Sequence, residues 1–410
     1  MTAIESNPIS EPQTPGQWAV RWFALAAVAL LCASVPVVHL LWHGVLGHDE
    51  PPIRTRAQTE VPAADVDEVL SGRWMSATER ALQERSPIVW SLRGHWNELR
   101  YRLGVPRSER VHFGRDGWLF LGNTVRVPLD DFDRASERRR AFFAQVRDRL
   151  RAAGVELLVS IVPDKMRVYP QFAFADGVVP PRRDAAYATL QQELAELQIA
   201  AVDLATPMRA MAAATVDGDA KAQLYFARDT HWRPGGALVA GQAVAAAVEQ
   251  RFGASLSPRV PMALTGPSHA RAVGDITDML GMLTMSRRRT EDKDRMVAMS
   301  MLTDSLAEQR DYYGLEVRGP GAATPMFGQD ATAEVWLTGT SFAEANGMVA
   351  VSFALGRPVY GIIERGAPGI APMQAALREI EAGARPKVVV WEIVERGFFT
   401  GQWLEPPLRR

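Results

Sequence analysis

Hydrophobic and polar positions change period repeatedly along the chain. Residues 133–153, "DRASERRRAFFAQVRDRLRAA", repeat at helical spacing, with Phe142, Val146 and Leu150 on one face and Gly154 closing the segment. "VELLVSIVP" (155–163) follows as a nearly unbroken apolar run of strand length. Helix, glycine, buried strand is the pattern of an α/β unit with a parallel sheet. The same alternation recurs downstream. "RRDAAYATLQQELAELQI" reads as a helix and "AAVDLATPM" as a second short strand. "PGGALVAGQAVAAAVEQRF" is a helix with Pro234 in its first turn, where the missing N–H costs nothing. "AEVWLTGTSF" (333–342) is a third strand, "MVAVSFALG" is helix-like, and "KVVVWEIVER" (387–396) is a last buried strand. Upstream, "RDGWLFLGN" (115–123) reads as a tight turn into a short strand. Residues from about 255 to 330 lack periodicity, and their charged run "SRRRTEDKDR" reads as an exposed loop or small insertion.

The N-terminal third has a different pattern. From Trp22 to Trp42, "WFALAAVALLCASVPVVHLLW" is apolar apart from Ser34, Pro36 and His39, and about 20 such residues cross a hydrocarbon core of ~30 Å. Tryptophans at both ends suit the two interfaces, and Arg21 suits a cytoplasmic flank. Retained anchor, cleaved signal peptide and buried core helix all compete for this stretch. The anchor is favoured, because the run is long for a signal peptide and no small-x-small cleavage site is well placed. The polar, proline-bearing stretch after it cannot form a core. From Asp65 to Leu103 two amphipathic helices are expected, with Trp74, Ala81 and Leu82 on one stripe and Trp90, Trp96, Leu99 and Leu103 on another, broken at Ser86–Pro87. The resulting layout is a cytoplasmic tail (1–21), a transmembrane anchor (22–43), a linker (44–64), a helical extension (65–105) that packs on the main domain, and an α/β domain (106–410).

Composition narrows the function. Of 410 residues, 47% are apolar and 23% charged, ordinary for a globular protein, and the net charge of −1 provides no basic field for nucleic acid. The single cysteine, Cys32, falls inside the apolar span, so no disulfide can form within the chain and cysteine usage does not reveal the compartment.

Chemistry concentrates at two places. Ser341 lies just beyond the strand "EVWLTG", where a nucleophile is lifted out of the sheet into the crevice at the strands' carboxyl ends. Gly339 permits a sharp turn there, although Ala343 departs from the G-x-S-x-G elbow. Asp229 and His231 sit two apart in "YFARDTHWRPGG", ahead of the Pro234 helix. A serine hydroxyl needs a base to take its proton, and an imidazole needs a carboxylate to fix its tautomer. Residues i and i+2 of an extended segment share a face, so the two side chains can meet. Taken alone, the loop also admits a helix-capping role for Asp229 or a metal site, although the remaining histidines are scattered. Asp164 and Lys165, at the end of the 155–163 strand, suit either substrate binding or a plain loop salt bridge.

These residues resemble a known family. "RDTHWRPGGA" (228–237) looks like the Asp-x-His-Trp block of the alginate O-acetyltransferases, and further blocks fall in that family's order. They are "GRDGWLFLGN" (114–123), "VPDKMRVYP" (162–170), "GDITDML" (274–280) and "WLTGTSF" (336–342). "SGRWMSATERALQERSP" and "WEIVERGF" look like its edges, so the resemblance spans most of 71–400. It implies a periplasmic, SGNH-hydrolase-like three-layer α/β/α domain with a mostly parallel sheet, behind a single-pass inner-membrane helix and a helical extension. It implies Ser341 as nucleophile, His231 as general base and Asp229 as its orienter. In common SGNH esterases the serine comes first and an Asp-x-x-His comes near the C-terminus, whereas the alginate branch reverses that order, as this chain does. It further implies an exported polysaccharide as substrate, a membrane-bound O-acyltransferase as the partner that delivers acetyl groups, and no metal or cofactor. "GDITDML" has no serine after its Gly-Asp and reads as structural. A polysaccharide acetyl esterase and a catalytically silent carbohydrate-binding scaffold are the competing expectations.

Overall fold

The apolar runs assemble into a parallel sheet in the computed structural model of the protein, which describes residues 65–85, 96–104, 109–126, 129–215, 223–280, 289–290, 293–294, 306–318, 330–344, 346–365, 369–399 and 403. The expected tail, anchor and linker (1–64) and the Ser86–Pro87 break lie outside the described residues. Among the described residues, no helix is long and apolar enough to cross a membrane.

The described residues fall into two compact units, one holding those of 65–103 with 289–290 and 293–294, and the other holding those of 104–280 and 306–403. In the first, helix α1 (Val66–Leu70) is capped by Asp65, whose Oδ1 accepts the Glu68 amide at 2.8 Å. Helix α2 (Arg73–Arg85) and a helical stretch at 96–102 follow.

The second unit holds the site. Its β1 (Val111–Phe113) and β2 (Leu119–Leu121) form a small antiparallel pair. Helix α3 (Ser136–Ala152) ends as its sequence suggests. Gly154 takes φ 73°, the Val155 amide donates to Leu150 O at 2.9 Å and the Gly154 amide to Arg151 O at 3.0 Å, a Schellman closure. The chain then enters β3 (Glu156–Val162). Next come α4 (Lys165–Val168), α5 (Pro181–Glu196), β4 (Ala200–Asp203), α6 (Ala205–Ala214) and α7 (Pro234–Phe252).

After α7 the chain forms β5 (Met262–Ala272), α8 (Asp275–Met279) and β6 (Glu308–Val317). The unit finishes with β7 (Val335–Gly339), α9 (Asn346–Leu355), β8 (Val359–Ile363), α10 (Ile370–Glu381) and β9 (Val388–Val394). The main sheet runs β8-β7-β9-β3-β4, every neighbouring pair parallel.

Alternation along these strands splits the core in two. Leu157, Val159, Ile161, Trp336, Val389 and Trp391 face α3, α5 and α10. Leu158, Val162, Val335, Leu337, Val388 and Val390 face α4, α6, α7 and α9. Both faces are covered, so β9 is buried at all seven positions, as a central parallel strand must be. The result is a three-layer α/β/α domain.

Helices α7 and α9 approach very closely. A Cβ on Gly241 would lie 2.6 Å from the Ala350 carbonyl carbon and 2.9 Å from Ala350 Cβ. Gly241→Ala is therefore expected to destabilise the domain by about 1–3 kcal/mol through overpacking. Urea unfolding measures this, and an unchanged midpoint would contradict the close approach.

One region departs from expectation. Residues 255–330 include β5 and β6, a long antiparallel ribbon paired from Met262↔Val317 to Ala272↔Glu308. Its strands carry half-buried and exposed side chains on both faces, apart from Leu315, so no apolar period marks them. Pairing partners 36 to 55 residues apart are likewise invisible to local patterning.

Candidate active site

The carboxyl ends of β7 and β3 and the loop before α7 meet at one edge of the sheet. Ser341 follows β7, with its Oγ 2.7 Å from Nε2 of His231. The other ring nitrogen, Nδ1, lies 2.6 Å from Asp229 Oδ1, which also accepts the His231 amide at 2.8 Å. Asp229, His231 and Ser341, the last 110 positions beyond His231 in sequence, thus form one continuous hydrogen-bonded chain. Only 2% of the Asp229 side chain is exposed against 26% of His231, so the imidazole can be reached from solvent while its carboxylate cannot.

The loop holding the pair is itself a small hairpin. Tyr225 bridges Trp232, the Phe226 amide donates to His231 O at 3.2 Å, and the Arg233 amide to Leu224 O at 2.7 Å. Arg233, and not Asp229, occupies the N-cap of α7, which removes the capping role left open by the sequence. Phe342 lies under the imidazole at 4.8 Å between ring centroids and meets Trp232 edge-on at 5.1 Å. The tryptophan of Asp-x-His-Trp therefore packs the residue next to Ser341.

Several residues outside the sequence-derived set complete the site. Arg310, on β6, donates to Asp229 Oδ2, and the Asp275 amide donates to the same oxygen at 3.0 Å. The Asp275 carboxylate accepts the Thr230 amide at 2.7 Å and its hydroxyl, and stands 3.7 Å from His231 Nδ1. "GDITDML" is thus part of the site: a Cβ on Gly274 would overlap the Arg228 carbonyl. Glu308 accepts the amides of Ala227 and Arg228 at 3.0 and 2.9 Å and pairs with Arg233.

Lys165 is buried and donates to the carbonyls of Phe226, Ala227 and Asp229 at 3.1, 3.0 and 2.8 Å. It braces the loop from below, which replaces the loop salt bridge considered for it. Burial lowers its pKa to about 7, opposed by the charges of Asp229, Glu308 and Asp275. Asp164, also buried, lies beside Arg183 (3.4 Å) and Arg396 (3.6 Å).

The electrostatics favour an ionised Asp229. Burial alone would raise its pKa, but the His231 hydrogen bond and the charges of His231 and Arg310 outweigh burial and hold it well below the usual carboxylate range. Asp229, His231 and Asp275 each offer an atom within 4.8 Å of the others, a spacing a metal ion could use. Yet both Asp229 oxygens and both imidazole nitrogens already have partners, and the Arg310 guanidinium supplies the cation at Asp229. This donor set suits a proton relay better than metal ligation.

The chain is similar to several known proteins. Residues 111–395 match the family model described as the SGNH hydrolase-like domain of acetyltransferase AlgX. A probable alginate O-acetylase AlgJ from Pseudomonas fluorescens is 29% identical over 336 residues, covering 80% of this chain and 78% of that protein. The AlgJ of Pseudomonas aeruginosa is 26% identical over 345 residues, covering 82% of each. Among solved structures, the O-acetyltransferase domain of Pseudomonas putida AlgJ superposes with a TM-score of 0.55 at 25% identity, covering 73% of this chain and 94% of that one.

Proposed function

Because the chain belongs to the SGNH hydrolase-like acetyltransferase family of the alginate O-acetylases, we propose that it transfers acetyl groups to hydroxyls of an exported polysaccharide through an acetyl-Ser341 intermediate. The protein is an O-acetyltransferase; the triad, the intermediate and the setting are our reading. The observation that carries it is the 2.7 Å contact between Ser341 Oγ and His231 Nε2, at the end of a relay anchored on a buried, ionised Asp229.

In this reading His231 Nε2 takes the Ser341 proton as Oγ attacks the acetyl carbonyl. Asp229 holds the Nδ1 proton and stabilises the imidazolium that forms. The Ser341 amide has no acceptor among the described residues, so it is available to a developing oxyanion. Collapse of the tetrahedral species returns the proton from His231 to the departing group and leaves an acetyl ester on Oγ. A sugar hydroxyl then enters, gives its proton to His231, attacks the ester and regenerates Ser341.

Arg310 acts through Asp229, to whose Oδ2 it donates. Arg310→Gln removes a charged hydrogen bond to a buried carboxylate, and turnover is expected to fall by about 10- to 100-fold, the equivalent of ~1.5–3 kcal/mol. Steady-state kinetics of the folded variant give the check, and unaltered turnover would remove Arg310 from the site.

The setting in our reading is a single-pass inner-membrane protein, anchored by 22–43, with the helical extension (65–105) and catalytic domain (106–410) in the periplasm. There a membrane-bound O-acyltransferase would supply acetyl groups. The same relay serves an acetyl esterase, because only the acceptor differs. Purified protein given an activated acetyl ester and an oligosaccharide separates the two: acetylated saccharide supports the transferase, and acetate alone would sink it.

A further inference from the structure

A carboxylate lies beneath the turn that carries Ser341. Glu392, 3% exposed, is the one ionisable residue of the otherwise apolar strand β9. Strand β9 neighbours β7, with Val390 opposite Leu337 and Trp391 opposite Thr338, so Glu392 comes next along the sheet, where β7 gives way to the Ser341 turn. Its Oε2 accepts the Thr340 amide at 2.6 Å and the Thr340 hydroxyl at 3.0 Å. That hydroxyl in turn accepts the Phe342 amide at 3.3 Å. The carboxylate therefore gathers the amides on both sides of Ser341, one directly and one through a single hydroxyl. The Ser341 amide between them has no acceptor among the described residues.

Gly339 makes this approach possible. Any Cβ there would overlap Glu392 Oε2 and lie 2.7 Å from Glu392 Cβ. The glycine before the nucleophile thus serves the passage of a buried carboxylate as well as the turn. Burying that group is costly unless hydrogen bonds repay it. Burial pushes the Glu392 carboxyl up to about 7, against the Thr340 hydrogen bonds that favour its charge.

Resting on the reading of Ser341 as nucleophile, we propose that Glu392 is a positioning residue for it. Glu392 fixes the Thr340–Phe342 turn through the Thr340 amide and hydroxyl, so that Ser341 Oγ meets His231 Nε2 and the Ser341 amide is left for the oxyanion. A displacement of about 1 Å in such a group costs on the order of 10²-fold in rate.

The test follows acetylation of Ser341 by p-nitrophenyl acetate in the full-length protein, timed by the burst of p-nitrophenol and located by peptide mass. Rates are normalised to the folded fraction from circular dichroism. Glu392→Ala is expected to slow the burst by about 10²-fold. Glu392→Gln should recover most of the rate, because its amide oxygen still accepts the Thr340 N–H. Thr340→Val, which keeps shape and loses only the hydroxyl bridge, should slow it by roughly 10-fold and serves if Glu392→Ala fails to fold.

A wild-type burst in folded Glu392→Ala or in Thr340→Val overturns the positioning role, as does a Gln variant no better than Ala. If the wild-type protein itself acquires no acetyl on Ser341, the nucleophile reading fails and the positioning role falls with it. The two failures are told apart by whether wild-type Ser341 is labelled.

Discussion

Ser341→Ala is expected to lower acetyl transfer by about 10³-fold or more while leaving the fold intact. Ser341 sits half-buried in a turn after β7, outside both apolar clusters, so losing its hydroxyl leaves no core cavity. What disappears is the hydroxyl 2.7 Å from His231 Nε2, which the proposal makes the nucleophile. The residual rate would come from whatever binding and oxyanion stabilisation remain, because members of a triad act as a unit. Turnover against an activated acetyl ester, beside far-UV circular dichroism and a thermal melt, measures both halves of the expectation. Unchanged turnover in a folded variant would remove Ser341 as the nucleophile.

Asp229→Asn is expected to cost about 10⁴-fold in turnover. An asparagine presents either an oxygen or an amide N–H toward His231 Nδ1 and cannot stabilise an imidazolium. Where the N–H faces the ring, it forces the proton onto Nε2, which then cannot accept from Ser341. The substitution also strips the Arg310 guanidinium of its counter-charge.

A second readout follows from linkage. Asp229 has a folded pKa depressed far below its unfolded one, so the stability it contributes is present above about pH 4 and is lost as pH falls through the folded value. The stability gap between the wild type and Asp229→Asn should be full at neutral pH and shrink on acidification. Urea titrations at several pH values give the comparison, and a gap that widens in acid would contradict an ionised Asp229.

Much of the domain was legible because its elements follow strong local rules. Gly154 closed α3 and the run after it could only be a buried strand, and "VWLTG" and "VVVWEIV" are mostly apolar and buried at every position, as strands covered on both faces must be. Strand β8, with only Val359 fully buried and Gly361 at its middle, lacks a buried-strand signature; helix α10 escaped notice although Met373, Ala376, Leu377 and Ile380 recur at helical spacing. The β5–β6 ribbon escaped for a different reason. It has little apolar face to read, and its pairing is made across a long separation.

The same contrast holds at the site. Asp229, His231 and Ser341 stand out by residue type and by their places before a helix and after a strand, but it is the family resemblance that joins them into one set. Asp275 left a signal, the Gly-Asp of "GDITDML", that the absence of a following serine made easy to dismiss. Arg310 left none, since nothing in "EQRDYYG" distinguishes it from any surface arginine until β6 folds it against Asp229. Glu392 shows in sequence only as one charge inside an apolar strand, and its partner Thr340 becomes apparent once β9 is known to lie beside β7.

The most direct test of the proposal is to find where acetyl goes. The full-length protein is exposed briefly to an activated acetyl ester without saccharide, quenched in acid, digested and mapped by mass spectrometry. The account predicts one acetyl ester on Ser341, absent in His231→Ala and discharged when an oligosaccharide acceptor is added before the quench. Acetyl on another residue, or on none while transfer to saccharide proceeds, would contradict it.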